Sequence, residues 1–164
     1  MPRSDLRIVV SDAGPLIALG RLDLLSLLPA LFAQVQVPQA VLIECQARPD
    51  NADAVRIRDA IGKGWLVLCE ASPITSAELQ LGERAAIGRA IEIGAGLLAD
   101  DASARRHGKA VGLNVIGTLG VLVLAKRADL VSAIIPLIEQ LRTSGQRLSH
   151  AAVAQALTAA RETL

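Results

Sequence analysis

The 164 residues are 52% hydrophobic and 1% aromatic, with a formal net charge of +1. That is chain enough for one domain with a real core, which excludes a disordered protein. The balanced charge excludes a global basic field for nucleic acid, and Phe32 and Trp65 as sole aromatics argue against base stacking on aromatic platforms.

Ile8, Val9 and Val10 form a short β-branched run of the kind buried on both faces of a parallel sheet. Asp12 follows at once, then Gly14, Pro15 and the apolar Leu16, Ile17 and Leu19. Proline suits the first helical turn, where its missing N–H costs nothing. The reading is strand, sharp turn, helix, with a carboxylate at the strand's carboxyl end, where open parallel sheets bind ligands. A plain helix cap is the structural alternative for Asp12.

Leu22 to Phe32 reads as helical or nearly so, with Pro29 marking a break. Val35 to Val37 makes a second strand, and Pro38 opens a helix through PQAVLIECQA. A helix over 52–61 follows, with Asn51 as its cap and Gly62 and Gly64 ending it. Trp65 to Cys69 is a third strand. The apolar positions Leu81, Ala85, Ala86, Ala90 and Ile93 predict a long helix over 79–93, stopped by Gly94 and Gly96. Leu97 to Ala99 is a fourth strand, ending in Asp100 and Asp101. A short basic helix over 102–111, a fifth strand over 114–116, and helices over 118–127, 130–143 and 149 to about 163 complete the chain.

Short strands alternating with helices define an α/β domain with a mainly parallel sheet. No repeat or linker divides it, so residues 1–164 form a single domain with the helices of 130–164 packed on it. Cys45 and Cys69 lack metal spacing or a disulfide pattern and read as reduced, buried thiols. The opening MPRSDLRIVV has no apolar segment of export-leader length, and no run approaches the roughly 20 residues of a membrane span. A soluble cytoplasmic protein with no membrane association is expected.

Asp12, Glu44, Glu83 and the Asp100–Asp101 pair stand where this layout makes them neighbours. Adjacency of strands one and four would set Asp12 beside Asp100 or Asp101, with Glu44 and Glu83 on flanking helices. Such a group stays ionised in one cleft only with a compensating cation. Hard carboxylate oxygens without His or Cys suit Mg²⁺ or Mn²⁺ rather than Zn²⁺. One or two such ions support phosphodiester cleavage. The structural alternatives are N-caps for Asp12 and the Asp pair, and a helix-dipole role for Glu83. Glu44, set among Val41, Leu42, Ile43 and Cys45, is either an exposed helix edge or functional.

Arg105, Arg106 and Lys109 follow the Asp pair and could hold RNA phosphates; a solvated helix face is the plainer reading. His107 reads as a surface residue. The apolar Val131, Ile134, Ile135, Leu137, Ile138 and Leu141 offer surface to bury between subunits.

The ordered stretches VVSDAGPLIALGRLDLL, VPQAVLIE, LGERAAIGRAIEIGAGLLADD and GLNVIGTLGVLVLAKR resemble the PIN-domain superfamily, the fold of VapC-type toxin ribonucleases, in an uncharacterised prokaryotic branch. The resemblance runs from Ile8 to about Leu148. It implies a three-layer α/β/α fold with a mainly parallel five-stranded sheet, and an acidic pocket that binds Mg²⁺ or Mn²⁺ and cleaves RNA. The family's acidic positions fall on Asp12, Glu44, Glu83 and Asp100 or Asp101. Two positions depart: Gly14 stands where the family often has Ser, Thr or Asn, and Ala99 where it usually has Thr. A homodimer and, for a toxin, a small antitoxin partner are further implications.

Three functions compete. The first is a metal-dependent endoribonuclease; the second is a catalytically silent PIN-like module that binds nucleic acid or protein. The third, a phosphate-accepting receiver domain, is weakest, because no convincing Lys follows a late strand.

Overall fold

The first strand, β1 (Ile8–Ser11), is flanked on both edges. Its Val9 and Val10 pair in parallel with Val35 and Gln36 of β2 (Gln34–Pro38), and with Gly96 and Leu97 of β4 (Gly96–Leu98). β3 (Val67–Cys69) adds to β2 and β5 (Val115–Ile116) to β4, giving a five-stranded, all-parallel sheet in the order β3-β2-β1-β4-β5. These relationships come from a computed structural model that describes residues 8–163. The expectation of no export leader at the first residues lies outside the described ones.

Successive strand residues face opposite sides of a sheet. Val9 and Val10 are both fully buried, so both faces are covered. The cover comes from α1 (Ala13–Arg21), α2 (Leu27–Leu31), α3 (Gln39–Cys45), α4 (Ala52–Gly62), α5 (Leu81–Ile93), α6 (Ala102–Ala110), α7 (Thr118–Arg127), α8 (Ile135–Thr143) and α9 (His150–Ala160). Helix α1 packs on α4, α3 on α5, and α7 on α9. The core is aliphatic, with Leu16, Leu19, Leu28, Ile57, Ile87, Leu98 and Leu122 among its fully buried members. No described helix is long and apolar enough to cross a membrane.

Several boundaries differ from expectation, each for a local reason. The 22–32 stretch is helical only over α2, and Pro29 lies inside its first turn, where no N–H partner is needed. The third strand starts at Val67, because Trp65 is still tied to α4 through its N–H to the Ala60 carbonyl at 2.9 Å, past Gly64 at positive φ. The helix expected over 130–143 begins at Ile135 with Pro136 in its first turn. Upstream, α7 is followed by Asp129 in the left-handed region, and Leu130 N–H closes the turn on Ala125 O at 2.8 Å. Asn51 occupies the N-cap position of α4 without a side-chain capping bond.

The apolar residues of 131–141 are used within the chain. Ile134, Ile138 and Leu141 are core residues, and Val131, Ile135 and Leu137 pack against that core. Cys45 is buried as expected, whereas Cys69, at the end of an outer strand, is only half-buried.

Candidate active site

The order of strands reverses around β1, and a ligand site in an open parallel sheet lies at the carboxyl ends of the strands where that happens. Asp12 stands there, held by its own N–H donating to Leu98 O of β4 at 2.9 Å. Ser11 Oγ donates to the Asp12 carbonyl at 2.9 Å within the buried turn. Asp12 occupies the N-cap position of α1, but its side chain makes no capping hydrogen bond. Its Oδ1 is buried and has no hydrogen-bond partner among the described residues. A buried carboxylate oxygen without a donor is costly and calls for an explanation.

The surroundings make the cost larger. Burial, opposed by the Ala13 N–H and reinforced by the charges of Glu44, Glu83 and Asp100, pushes the Asp12 carboxyl up from 3.8 to about 7. Asp12 is therefore within reach of the charges of Glu44, Glu83 and Asp100, and Glu44 of that of Glu83. Helix α3 delivers Glu44, exposed at the rim, with burial and then Glu83 raising its pKa. Helix α5 begins alongside, and Gly82 keeps the gap open. A Cβ there would lie 2.9 Å from Glu44 Oε2 and 3.7 Å from Asp12 Oδ1, so both carboxylates face one bare backbone position.

The Asp100–Asp101 doublet divides cleanly. Asp101 is exposed and caps α6, its Oδ2 accepting from the N–H groups of Ser103 at 3.0 Å and Ala104 at 3.1 Å. Asp100 instead reaches the start of α7. Its Oδ1 accepts from Thr118 N–H and its Oδ2 from Thr118 Oγ1, both at 2.7 Å. Of the pair, Asp100 is thus the member built into the cluster, while Asp101 serves as the helix cap and is felt electrostatically at Glu83. Glu83 Oε2 accepts from Gln80 N–H at 3.1 Å, half of a capping box, so the structural reading holds for it as well. Burial raises its pKa above the usual value.

Two departures from the family pattern acquire a geometry. A Cβ on Gly14 would touch Asp100 Cβ and Oδ2, each at 3.4 Å, so position 14 faces Asp100 directly. The hydroxyl on Asp100 comes from Thr118 across the sheet edge. Ala99 contributes only backbone: its carbonyl accepts from Arg105 Nη1 at 3.1 Å. Reading the chain alone takes Thr118 merely as the start of a helix. The available signal is a polar residue at the strand-to-helix turn that follows β5.

Of the basic residues, Arg105 is half-buried and tied to Ala99, while Arg106 and Lys109 are exposed. His107 is half-buried rather than on the surface, because its Nδ1 engages the Ser103 carbonyl at 2.9 Å. Cys45 lies beside the cluster, where burial and then the Glu44 and Asp12 charges push its thiol up to about 12. It stays protonated and inert.

Parallel strands whose central carboxyl ends gather acidic side chains make an α/β fold with an acidic site at its topological switch point. The PIN-domain family model designated DUF3368 matches residues 8–162, and the chain belongs to that family. A PilT N-terminus domain protein from the hyperthermophilic archaeon Sulfolobus solfataricus P2 is structurally similar, with 18% identity and a TM-score of 0.47 over 87% of this chain and 98% of that one. No curated protein matches.

Among the described residues, no three His, Cys, Asp or Glu side chains form a ready-made metal-binding group. The donor chemistry nevertheless fits a hard divalent cation. Among the described residues, Asp12 Oδ1 is orphaned, Glu44 faces the same gap, and no cationic side chain offsets the raised pKa of either carboxylate.

Proposed function

We propose that the chain is a Mg²⁺- or Mn²⁺-dependent endoribonuclease that hydrolyses RNA phosphodiesters. The observation that carries this reading is the buried, unpartnered Oδ1 of Asp12, raised to about 7 by burial and by neighbouring carboxylates. Asp12, Glu44 and Asp100 would hold the cation, with Glu83 adding charge at the rim. A bound divalent cation supplies an activated water and offsets charge that builds on the phosphate.

The chain's own residues do the rest. Thr118 immobilises Asp100 through two short hydrogen bonds, so that carboxylate is preorganised before substrate arrives. Bare Gly82 and Gly14 leave room beside Glu44 and Asp100. Arg106 and Lys109, exposed on α6, supply positive charge for RNA phosphates near an otherwise acidic rim. The thiol of Cys45, protonated, takes no part.

A toxin role with a small antitoxin partner, and a homodimer, belong to the same proposal. Exposed Ile43 and Leu81, on the two helices that flank the carboxylates, support a protein contact there. A catalytically silent PIN module is the second reading, favoured by the absence of a ready-made three-ligand group among the described residues.

Incubation of labelled single-stranded RNA with the purified chain across Mg²⁺ and Mn²⁺ titrations tests the proposal. Metal-dependent internal cleavage, lost in Asp12→Asn and Asp100→Asn, is expected. RNA that stays intact at every metal concentration, bound or not, rejects the nuclease reading in favour of the silent module.

A further inference from the structure

Beyond the carboxylates the chain holds a cavity of about 540 Å³ between the β5–α7 turn and the last helix. It shares Asp100, Gly117 and Thr118 with the acidic site. A Cβ at that glycine would lie 2.8 Å from Arg105 Nη1 and 3.0 Å from Asp100 Oδ1, so a guanidinium and a site carboxylate meet over one bare backbone position. The cavity is lined by Leu119 and Val123 of α7, by Ala152 and Ala156 of α9, and by exposed Arg147. Its walls are mostly small and aliphatic, Arg105 and Arg147 are its basic members, and Asp100 is its acidic one.

We infer that this cavity seats one nucleotide of a single-stranded RNA next to the phosphodiester held at the carboxylates. The size falls within the range that encloses a small-molecule ligand. The aliphatic walls accept a base or ribose face, and the Gln146 and Gln155 amides at the mouth can meet base edges. Single-stranded RNA is commonly read through unstacked bases set on aromatic or guanidinium planes; with no aromatic in the lining, the guanidinium plane is the one on offer here. Arg147, and Arg105 beside Asp100, match the neighbouring phosphates by charge. Arg105, already tied to Ala99 O, is a fixed contact and Arg147 an adaptable one. This assignment rests on the nuclease reading for the identity of its ligand. It differs by placing RNA contacts on Arg147 and α9 as well as on α6.

The occupant is set apart from a protein segment by charge. A peptide's apolar side chains would offer nothing to Arg147, whereas an oligonucleotide brings a phosphate to it; Arg105 is already engaged by Ala99 O. The α9 wall is firmly placed, because Arg127 of α7 donates to Ala159 O at 3.1 and 3.2 Å and Lys126 reaches Glu162 Oε1 at 3.0 Å.

Binding of a fluorescently labelled hexaribonucleotide, followed by anisotropy with Ca²⁺ present, tests the assignment without requiring cleavage. Ala152→Leu fills the slot and Arg147→Ala removes one of its basic members; each should weaken binding about tenfold, as expected for loss of a charged or enclosed contact. Lys63→Ala, which removes the same charge at the end of α4, should leave it unchanged. Melting curves establish that the variants fold, and an unaltered Mn²⁺-induced thermal shift establishes that the carboxylate site is intact. Unchanged oligonucleotide binding in both cavity variants, or no binding by the parent chain, overturns the assignment. Loss of binding in the variants of a chain that never cleaves RNA would reject the nuclease reading and keep the cavity as an RNA site.

Discussion

Thr118 holds both oxygens of Asp100, its N–H on Oδ1 and its hydroxyl on Oδ2, each at 2.7 Å. The two residues are eighteen positions apart and meet because β4 and β5 are neighbours. The contact ties Asp100, and not Asp101, to the turn that follows β5. It also makes the hydroxyl separately testable, since the backbone N–H survives any substitution but proline.

Thr118→Val should leave the fold in place and lower RNA cleavage by about 10- to 100-fold, the usual cost of removing a group that orients a metal ligand. Thr118→Ser should restore most of it. Steady-state cleavage of a short RNA, with Mn²⁺ affinity measured alongside, checks the pair of variants. Equal activity of Val and Thr at position 118 would deny the hydroxyl any orienting role.

Asp12 gives a pH signature. Its folded pKa of about 7 lies above the ordinary 3.8, so between those values the native state binds a proton that the unfolded chain has lost. Stability from this group is therefore complete below about pH 4 and falls as pH rises through 7, by up to the order of 4 kcal/mol. Without divalent ions, Asp12→Asn should melt higher than the parent at about pH 8 and differ little at about pH 4. Added Mn²⁺ should raise the parent's Tm more at about pH 8 than at about pH 5, and the variant's hardly at all. Parallel melting curves for the two proteins would contradict this account.

At the opposite end of the chain, Glu162 has the reverse slope. Burial works against its charge, but the Lys126 ammonium and the N–H groups of Ile134 and Ile135 hold its carboxyl below the usual 4.5. Its contribution is present above that value and lost as pH falls through the lowered native one. Glu162→Gln should cost roughly 1–2 kcal/mol near neutral pH and flatten the acid limb of the stability profile. Denaturant melts across the acid range read both effects.

Gly82→Ala separates site from scaffold. The added methyl would sit 2.9 Å from Glu44 Oε2, the movable end of a side chain, and so should displace that carboxylate without unfolding α5. Stability should hold or rise, by up to about 1 kcal/mol from helix propensity, while Mn²⁺ affinity falls. Calorimetric titration of the variant measures the second effect independently of cleavage.

Gly88→Ala should act on the scaffold alone. A Cβ there would fall 2.0 Å from the Ser72 carbonyl oxygen, which is backbone and cannot swing aside. The segment before α5 is pinned at this point, with Arg84 Nε donating to Ile74 O at 2.8 Å and Ile74 N–H to Arg84 O at 3.1 Å. A loss of about 1–3 kcal/mol is expected, as for overpacking elsewhere. A chemical-denaturation midpoint equal to the parent's would show that the segment gives way freely.

Much of this protein is written locally in its residues. The β-branched run before Asp12, the prolines that open α3 and α8, and the helical spacing of 81–93 specify elements through forces acting over a few positions. The cap at Asp101 is local too: its carboxylate meets N–H groups two and three residues on, as a capping aspartate does. What neighbours along the chain could not specify was which carboxylates keep an oxygen free. The fate of Asp100 was settled by Thr118, the gap at Asp12 and Glu44 by the missing side chain of Gly82, and the cavity by the approach of α9 to α7. Those outcomes depend on parallel pairing and helix packing between distant segments, where a hydrogen bond is formed or withheld only once the chain has closed.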